Sequence, residues 1–414
     1  MTLRGDFDPT QFDVNNTATY PPTTETDGTQ PVYFDADRWN VTGTATFEGL
    51  NLVTGGQLFA RVTPPPAEGD YWAESRSVYD VPFQSALGGT GADIWTRPMG
   101  QNAVYEPTGF YAQNDASGGG WPGPLGRIVA DREYHHLSST DPVKTLIVTD
   151  AGPGNGQSVH VRAGATAPGT WNSCGVLLRQ ANPFTVWQGQ RLSLAAGGNP
   201  SWEFTIPTGD SVPLDLREGG QRTHYGSHGG SRLSTVAGTI KEGVLNGSGE
   251  INHPLQLGID GYYFLSRTNN GFRWPAATAD GSYDNPSSNG YYNGSLEYMR
   301  MGVLLALPAN FDLETITEPR AKKICRALKY YGAYVVDITS KDWSVFQFSV
   351  EDRAIDAAGQ WTRSATNADD VAFHNQLHGA ILETKAITNN AAGQECSGGG
   401  APIAANLHAP PVTQ

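Results

Sequence analysis

The run from 145 to 206 decides the fold: Thr145-Leu146-Ile147-Val148-Thr149, Ser158-Val159-His160-Val161-Arg162, Gly175-Val176-Leu177-Leu178-Arg179, Arg191-Leu192-Ser193-Leu194 and Trp202-Glu203-Phe204-Thr205-Ile206. Each segment is short, rich in β-branched, aromatic and aliphatic residues, and bounded by Gly, Pro or Asn. That is the pattern of strands joined by tight turns, and it predicts a β-sandwich or jelly roll. The composition agrees. Fifty Gly, 27 Pro and only 16% charged residues in 414 are poor material for helical bundles, so the chain reads as mainly β.

Upstream, Val41 to Phe47 and Leu52 to Val62 read as two further strands around a Gly55-Gly56 turn, before Pro64-Pro65-Pro66 ends the pattern. Residues 1–38 are polar and without period (Thr19-Tyr20-Pro21-Pro22-Thr23-Thr24-Glu25-Thr26-Asp27-Gly28), too poor in apolar surface to fold alone. They are expected to act as an extended anchor or tether. Between the strands, Asp115 to Pro124 reads as a long surface loop.

Downstream, two helices are expected in the C-terminal half. Pro319, preceded by Thr317, marks one start; Ala321, Ile324, Cys325, Leu328 and Tyr331 share a face, and Gly332 stops the run. The second, from Asp369 to Thr384, opens on two acids and buries Val371, Leu377 and Ile381. The organisation is then an anchor over 1–38, a sandwich domain over 39–220, a β-rich domain with two helices over 221–388 and an irregular tail over 389–414.

The net charge of -14 and pI near 5 disfavour nucleic acid, whose affinity comes largely from cations on phosphate. A neutral polymer fits better. Ten Trp and 17 Tyr provide faces for sugar rings, although most are expected to fill the core. Three widely spaced cysteines, Cys174, Cys325 and Cys396, allow at most one disulfide and no zinc ribbon. No long apolar run predicts membrane insertion, and Met1-Thr2-Leu3-Arg4 lacks the features of a signal peptide, so export by that route is not expected for this form of the chain.

The block from Thr223 to Asp337 combines Gly, aromatic, Arg, His and carboxylate residues at irregular spacing, which suits polar, aromatic-lined loops. It contains His224-Tyr225-Gly226-Ser227-His228-Gly229-Gly230-Ser231-Arg232-Leu233-Ser234, then Gly249-Glu250-Ile251-Asn252-His253-Pro254-Leu255, Phe272-Arg273-Trp274-Pro275-Ala276, Met299-Arg300-Met301-Gly302 and Ala327 to Asp337. In this order the motifs resemble a family of large secreted bacterial proteins and minor tail or virion proteins of phages, particularly those of actinobacteria. Its pattern runs His-Gly-Gly-Ser-Gly-Leu-Ser, Glu-Ile-X-His-Ala-Leu, Trp-Pro-Ala, Met-Gly and a helix ending Ala-Leu-X-X-Tyr-Gly-X-X-Val-X-Asp. The resemblance covers roughly the central quarter to third of the chain and breaks at Arg232, where the pattern has Gly, and at Pro254, where it has Ala. The family has no settled activity, so the resemblance implies a virion or extracellular setting more than a chemistry.

Candidate residues follow from the block. Arg273 and Trp274 beside Pro275 offer a stacking face and a fork of donors for hydroxyls or carboxylates, with His253, Arg300 and His228 as further ligand contacts. A glycoside hydrolase needs two carboxylates flanking the scissile bond. Glu242, Glu250, Asp260 and Asp280 lie within the block; Glu250 and Asp280 are the expected pair, with ion pairing to Arg232, Arg267, Arg273 or Arg300 as the plain alternative. Gly281 to Gly294, with Tyr283, Tyr291 and Tyr292, has the composition of a recognition loop. His374 and His378 share a helix face but lack the intervening glutamate of a zinc protease, so no metal is expected. No nucleotide or phosphate-loop motif is present, and no organic cofactor is expected. These observations predict a phage minor tail, spike or fibre protein, homo-oligomeric, that binds cell-surface polysaccharide and joins other virion proteins through its N-terminal segment. A polysaccharide-degrading enzyme, free or virion-mounted, is the alternative, and extracellular secretion the alternative location.

Overall fold

The computed structural model describes residues 45–47, 50–52, 94–110 except 96, shorter stretches between 126 and 245, and 250–404 apart from 340, 342–345 and 350–367. The chain divides into two compact units, residues 1–67 with 411–414, and residues 68–410. In the first, Ala45–Phe47 pairs antiparallel with Leu50–Leu52, while Gly55-Gly56 lies outside the described residues. The Asp115–Pro124 loop, His224, His228, Glu242 and residues 1–38 lie outside the described residues.

Among its described residues the second unit is mostly strand, arranged in mixed sheets, with three helices. Its largest sheet has seven strands: β1 (Tyr105–Pro107), β2 (Gly126–Val129), β3 (Leu255–Asp260), β4 (Leu304–Ala306), β5 (Ala333–Thr339), β6 (Phe346–Ser349) and β7 (Lys385–Ile387), in spatial order β1-β7-β4-β5-β3-β6-β2. Strands β3 and β5 run parallel at the centre, Leu255 opposite Ala333 and Asp260 opposite Thr339, with a register shift at Leu257/Gly258. Both edge strands come from residues 105–129, which the sequence places before the C-terminal domain. The segments between 132 and 215 form two four-stranded sheets and a two-stranded one, 143–145 with 158–160.

Every residue of β3 is buried, and so is β5 except at Ile338, because the sheet is covered on both faces. One cover is helical. In α2 (Pro319–Tyr330), Ala321, Ile324, Cys325, Ala327 and Leu328 are buried, and in α3 (Ala368–Leu382), Phe373, Leu377, Ala380 and Ile381 join the same core as Ala333 and Val335. Both helices fall where the periodicity predicts them. The cap of α2 is Glu318 rather than Thr317: its carboxylate accepts from the Ala321 N–H at 2.7 Å, and Pro319 fills the first helical position, where no N–H is needed. Tyr334, of alternate parity on β5, instead meets Trp95 edge-on at 5.4 Å and accepts from Asn390 Nδ2 at 3.2 Å.

The tail is not wholly irregular. Residues 397–403 are laced to 98–102: Gly100 N–H donates to Ser397 O at 2.9 Å, Ser397 N–H to Pro98 O at 2.9 Å and Ile403 N–H to Met99 O at 2.9 Å. Cys396 and Cys325 are both buried free thiols. Among the described residues no helix is long and apolar enough to cross a membrane.

Candidate functional site

The motif glycines explain why the block folds as it does. Gly302 sits at φ 87°, and a Cβ there would stand 2.7 Å from that of Ala276; the Met-Gly segment therefore packs directly under the Trp-Pro-Ala turn. Around it, Phe272 and Met301 form a parallel bridge, Arg273 N–H donates to Met301 O at 2.9 Å and Met301 N–H to Gly271 O at 3.0 Å. Residues on either side of such a bridge project alike, which puts Arg273 and Arg300 together.

Both arginines are spent on backbone. Arg273 donates to Thr388 O at 2.8 Å and Tyr298 O at 3.4 Å, and Arg300 to Phe272 O at 3.2 Å; neither meets a carboxylate among the described residues. The buried Nε of Arg300 has no partner. Burial, then the neighbouring Arg300 charge, lowers Arg273 below the usual guanidinium range, with Tyr334 acting in the opposite sense. Next to them Trp274 is half-buried, joined to Pro275 by a cis peptide bond, and Arg97 lies over its ring, 5.3 Å from the centroid. Arg97 is fully buried and donates to Ala391 O at 3.1 Å. The Trp274 ring therefore carries one guanidinium on its face, with Arg273 adjacent in the chain and Arg300 close to Arg273.

The structure sets Arg273 beside Arg300 and Arg97 against Trp274, and Arg97 is a residue that sequence reading does not single out. Nothing in Ile94-Trp95-Thr96-Arg97-Pro98 marks it, since its partner lies far along the chain. The other candidates go elsewhere. Glu250 is exposed and pairs with Arg326 of α2 at 3.2 Å. His253 stands at the entry of β3, its Nδ1 2.9 Å from Pro254 O.

Asp280 belongs to the opposite end of the central strands. Its Oδ1 accepts from Ser282 N–H at 3.2 Å and Ser282 Oγ at 3.0 Å, an Asx-type turn, and its own N–H donates to Tyr292 Oη at 3.2 Å. Gly230 lies against it: a Cβ there would stand 2.6 Å from Asp280 N, while Gly230 N–H donates to Asp337 Oδ1 at 3.4 Å. Burial first, then the Asp280 and Asp337 charges, hold the Tyr292 phenol well above its ordinary range, against the opposing hydrogen bond from the Asp280 backbone. A six-residue strand such as β3 is about 16 Å long, so Glu250 near its entry and Asp280 near its exit do not approach the roughly 5–10 Å of a hydrolase pair. Each carboxylate instead has a local structural partner, and Asp260 caps α1 (Gly261–Phe264) by accepting from Tyr262 N–H at 2.9 Å.

His374 is fully buried and packs edge-on against Phe373 at 5.2 Å. Among the described residues no three His, Cys, Asp or Glu side chains are grouped to hold a metal ion. Comparison of the chain with known protein families, with characterised proteins and with solved structures finds no match.

Proposed function

We propose that the protein is a phage virion component, a minor tail, spike or fibre protein, that recognises host cell-surface glycan through the Trp274 patch. The observation that carries this reading is the half-buried Trp274 ring with Arg97 over it and Arg273 next to it in the chain, Arg273 and Arg300 having no carboxylate partner among the described residues. An aromatic face supplies apolar contact to a sugar ring, and guanidinium edges donate to its hydroxyls or carboxylates. The virion setting is supported by the order of the motifs from His224 to Asp337.

In this reading residues 1–38 join other virion proteins, the two four-stranded sheets between 132 and 215 stack as a sandwich or jelly roll, and the protein works as a homo-oligomer on the particle surface; secretion is the alternative location. Binding is preferred over cleavage because Glu250 is engaged by Arg326 and Asp280 by Ser282.

Incubating the purified protein with host envelope polysaccharide, and reading both binding and released reducing ends, tests the proposal. Binding without new reducing ends is expected. Turnover abolished by Glu250→Gln or Asp280→Asn would replace the proposal with the hydrolase reading, and absence of any binding by the folded protein would overturn it. For the anchor, deletion of residues 1–38 should leave the fold intact and remove the protein from particles.

A further inference from the structure

A second aromatic and cationic surface lies where the parallel strands β3 and β5 end. Asp260, the last residue of β3, accepts from the N–H groups of Tyr262 at 2.9 Å and Tyr263 at 3.4 Å, which starts α1 and sets the two rings together, 5.1 Å apart at 81°. The recognition-like loop 281–294 brings up a third ring: Tyr291 is 6.3 Å from Tyr262. Two backbone bonds hold the loop there, Asn293 N–H to Tyr262 O at 3.2 Å and Gly294 N–H to Leu265 O at 2.8 Å.

Two cations complete the surface. Lys341, just beyond the end of β5, places Nζ 3.9 Å from the Tyr262 ring centroid, and exposed Arg267 lies 5.2 Å from that of Tyr291. Among the described residues neither pairs with a carboxylate, and the hydroxyls of Tyr262 and Tyr291 take no hydrogen bond. In a chain of net charge -14, two cations without an acidic partner among the described residues, beside half-buried tyrosines, are an unusual placement.

We infer that this surface is a second saccharide site and that it takes an acidic sugar, one whose carboxylate is met by Lys341 and Arg267. The tyrosine rings give the sugar its apolar contact, and the hydroxyls of Tyr262 and Tyr291 can donate to or accept from its hydroxyls. A polyanionic nucleic acid is disfavoured by the overall negative field, whereas a saccharide with isolated carboxylates needs only the local pair of cations. The inference rests on the glycan reading for its ligand class, but not on the Trp274 patch.

Calorimetric titration of the full chain with α-1,4-linked trigalacturonate, and with the matched neutral galactose trimer, tests it. The acidic trimer is expected to bind more tightly than the neutral one and to weaken as salt rises. Lys341→Gln should weaken it about tenfold, the value of one charge-assisted contact. Tyr291→Ala should also weaken it, and Tyr291→Phe should retain the ring contact. Equal binding of the two trimers, no binding of the acidic one, or an unaltered affinity in a folded Lys341→Gln protein overturns the inference. Failure of the glycan reading itself registers separately, as loss of all binding to host envelope polysaccharide.

Discussion

The Arg97 guanidinium lies 5.3 Å from the centre of the Trp274 ring and donates to Ala391 O at 3.1 Å, so three distant segments of chain build one patch. If the ring is a binding platform, Trp274→Ala should reduce host-cell or polysaccharide binding by about tenfold or more, in line with the loss of a stacked aromatic contact. The melting temperature should move little, because Trp274 is only half-buried. Unchanged cell binding by the folded variant would remove Trp274 from the site.

Gly230→Ala should be strongly destabilising. The added methyl would meet Asp280 backbone, which cannot rotate away as a side chain would, and overpacking of this kind costs about 1–3 kcal/mol. Denaturant unfolding measures this, and a change below half a kilocalorie would show that the Gly230 loop moves freely.

Arg232→Gly should instead stabilise. Arg232 has φ 55°, in the left-handed region, at the position where the resembling pattern carries glycine. Relief of about 1–2 kcal/mol of steric cost offsets the roughly 0.5–1 kcal/mol of extra backbone entropy glycine loses on folding, leaving a net gain of up to about 1.5 kcal/mol. A lower unfolding midpoint would mean that the Arg232 side chain contributes more than its backbone strain costs.

Leu328→Ala removes a side chain that is 1% exposed in the core shared by α2, α3 and the sheet. It should cost about 2–5 kcal/mol, read from the unfolding midpoint at constant slope.

Stability should fall above pH 9. Burial pushes the Cys325 thiol from 9.0 up to about 12, and burial pushes Tyr331 from 10.0 up to about 12, with Arg326 opposing. The folded state holds protons that the unfolded state releases, so this contribution is complete below the unfolded values and is lost as pH rises towards 12. Urea unfolding of Cys325→Ala should lose less stability than the wild type between pH 9 and 12. An identical pH dependence in the two proteins would show that the thiol is not protected by the fold.

Local pattern was enough to locate both helices, because each carries its own signals: Pro319 and Gly332 bracket the first, and the apolar residues of both recur at the helical period. Short apolar runs between Gly and Pro likewise mark strands, as at 158–160 and 174–178. The proximity of Arg273, Trp274 and Arg300 was half legible, since two are neighbours in sequence and Gly302 follows the third. Pairing across the sheet was not. Strand β1 joins β7 and β2 joins β6 from the far side of a long insertion, and no local residue pattern records which strand will supply an edge. The fate of the carboxylates was equally hidden: an acid in a loop looks the same whether it meets Arg326, as Glu250 does, or closes a turn, as Asp280 does. Sequence determines what each segment prefers to be within a few residues of itself. Only the tertiary structure decides which charges find partners, because burial and Coulomb attraction depend on distances through space that the chain order does not contain.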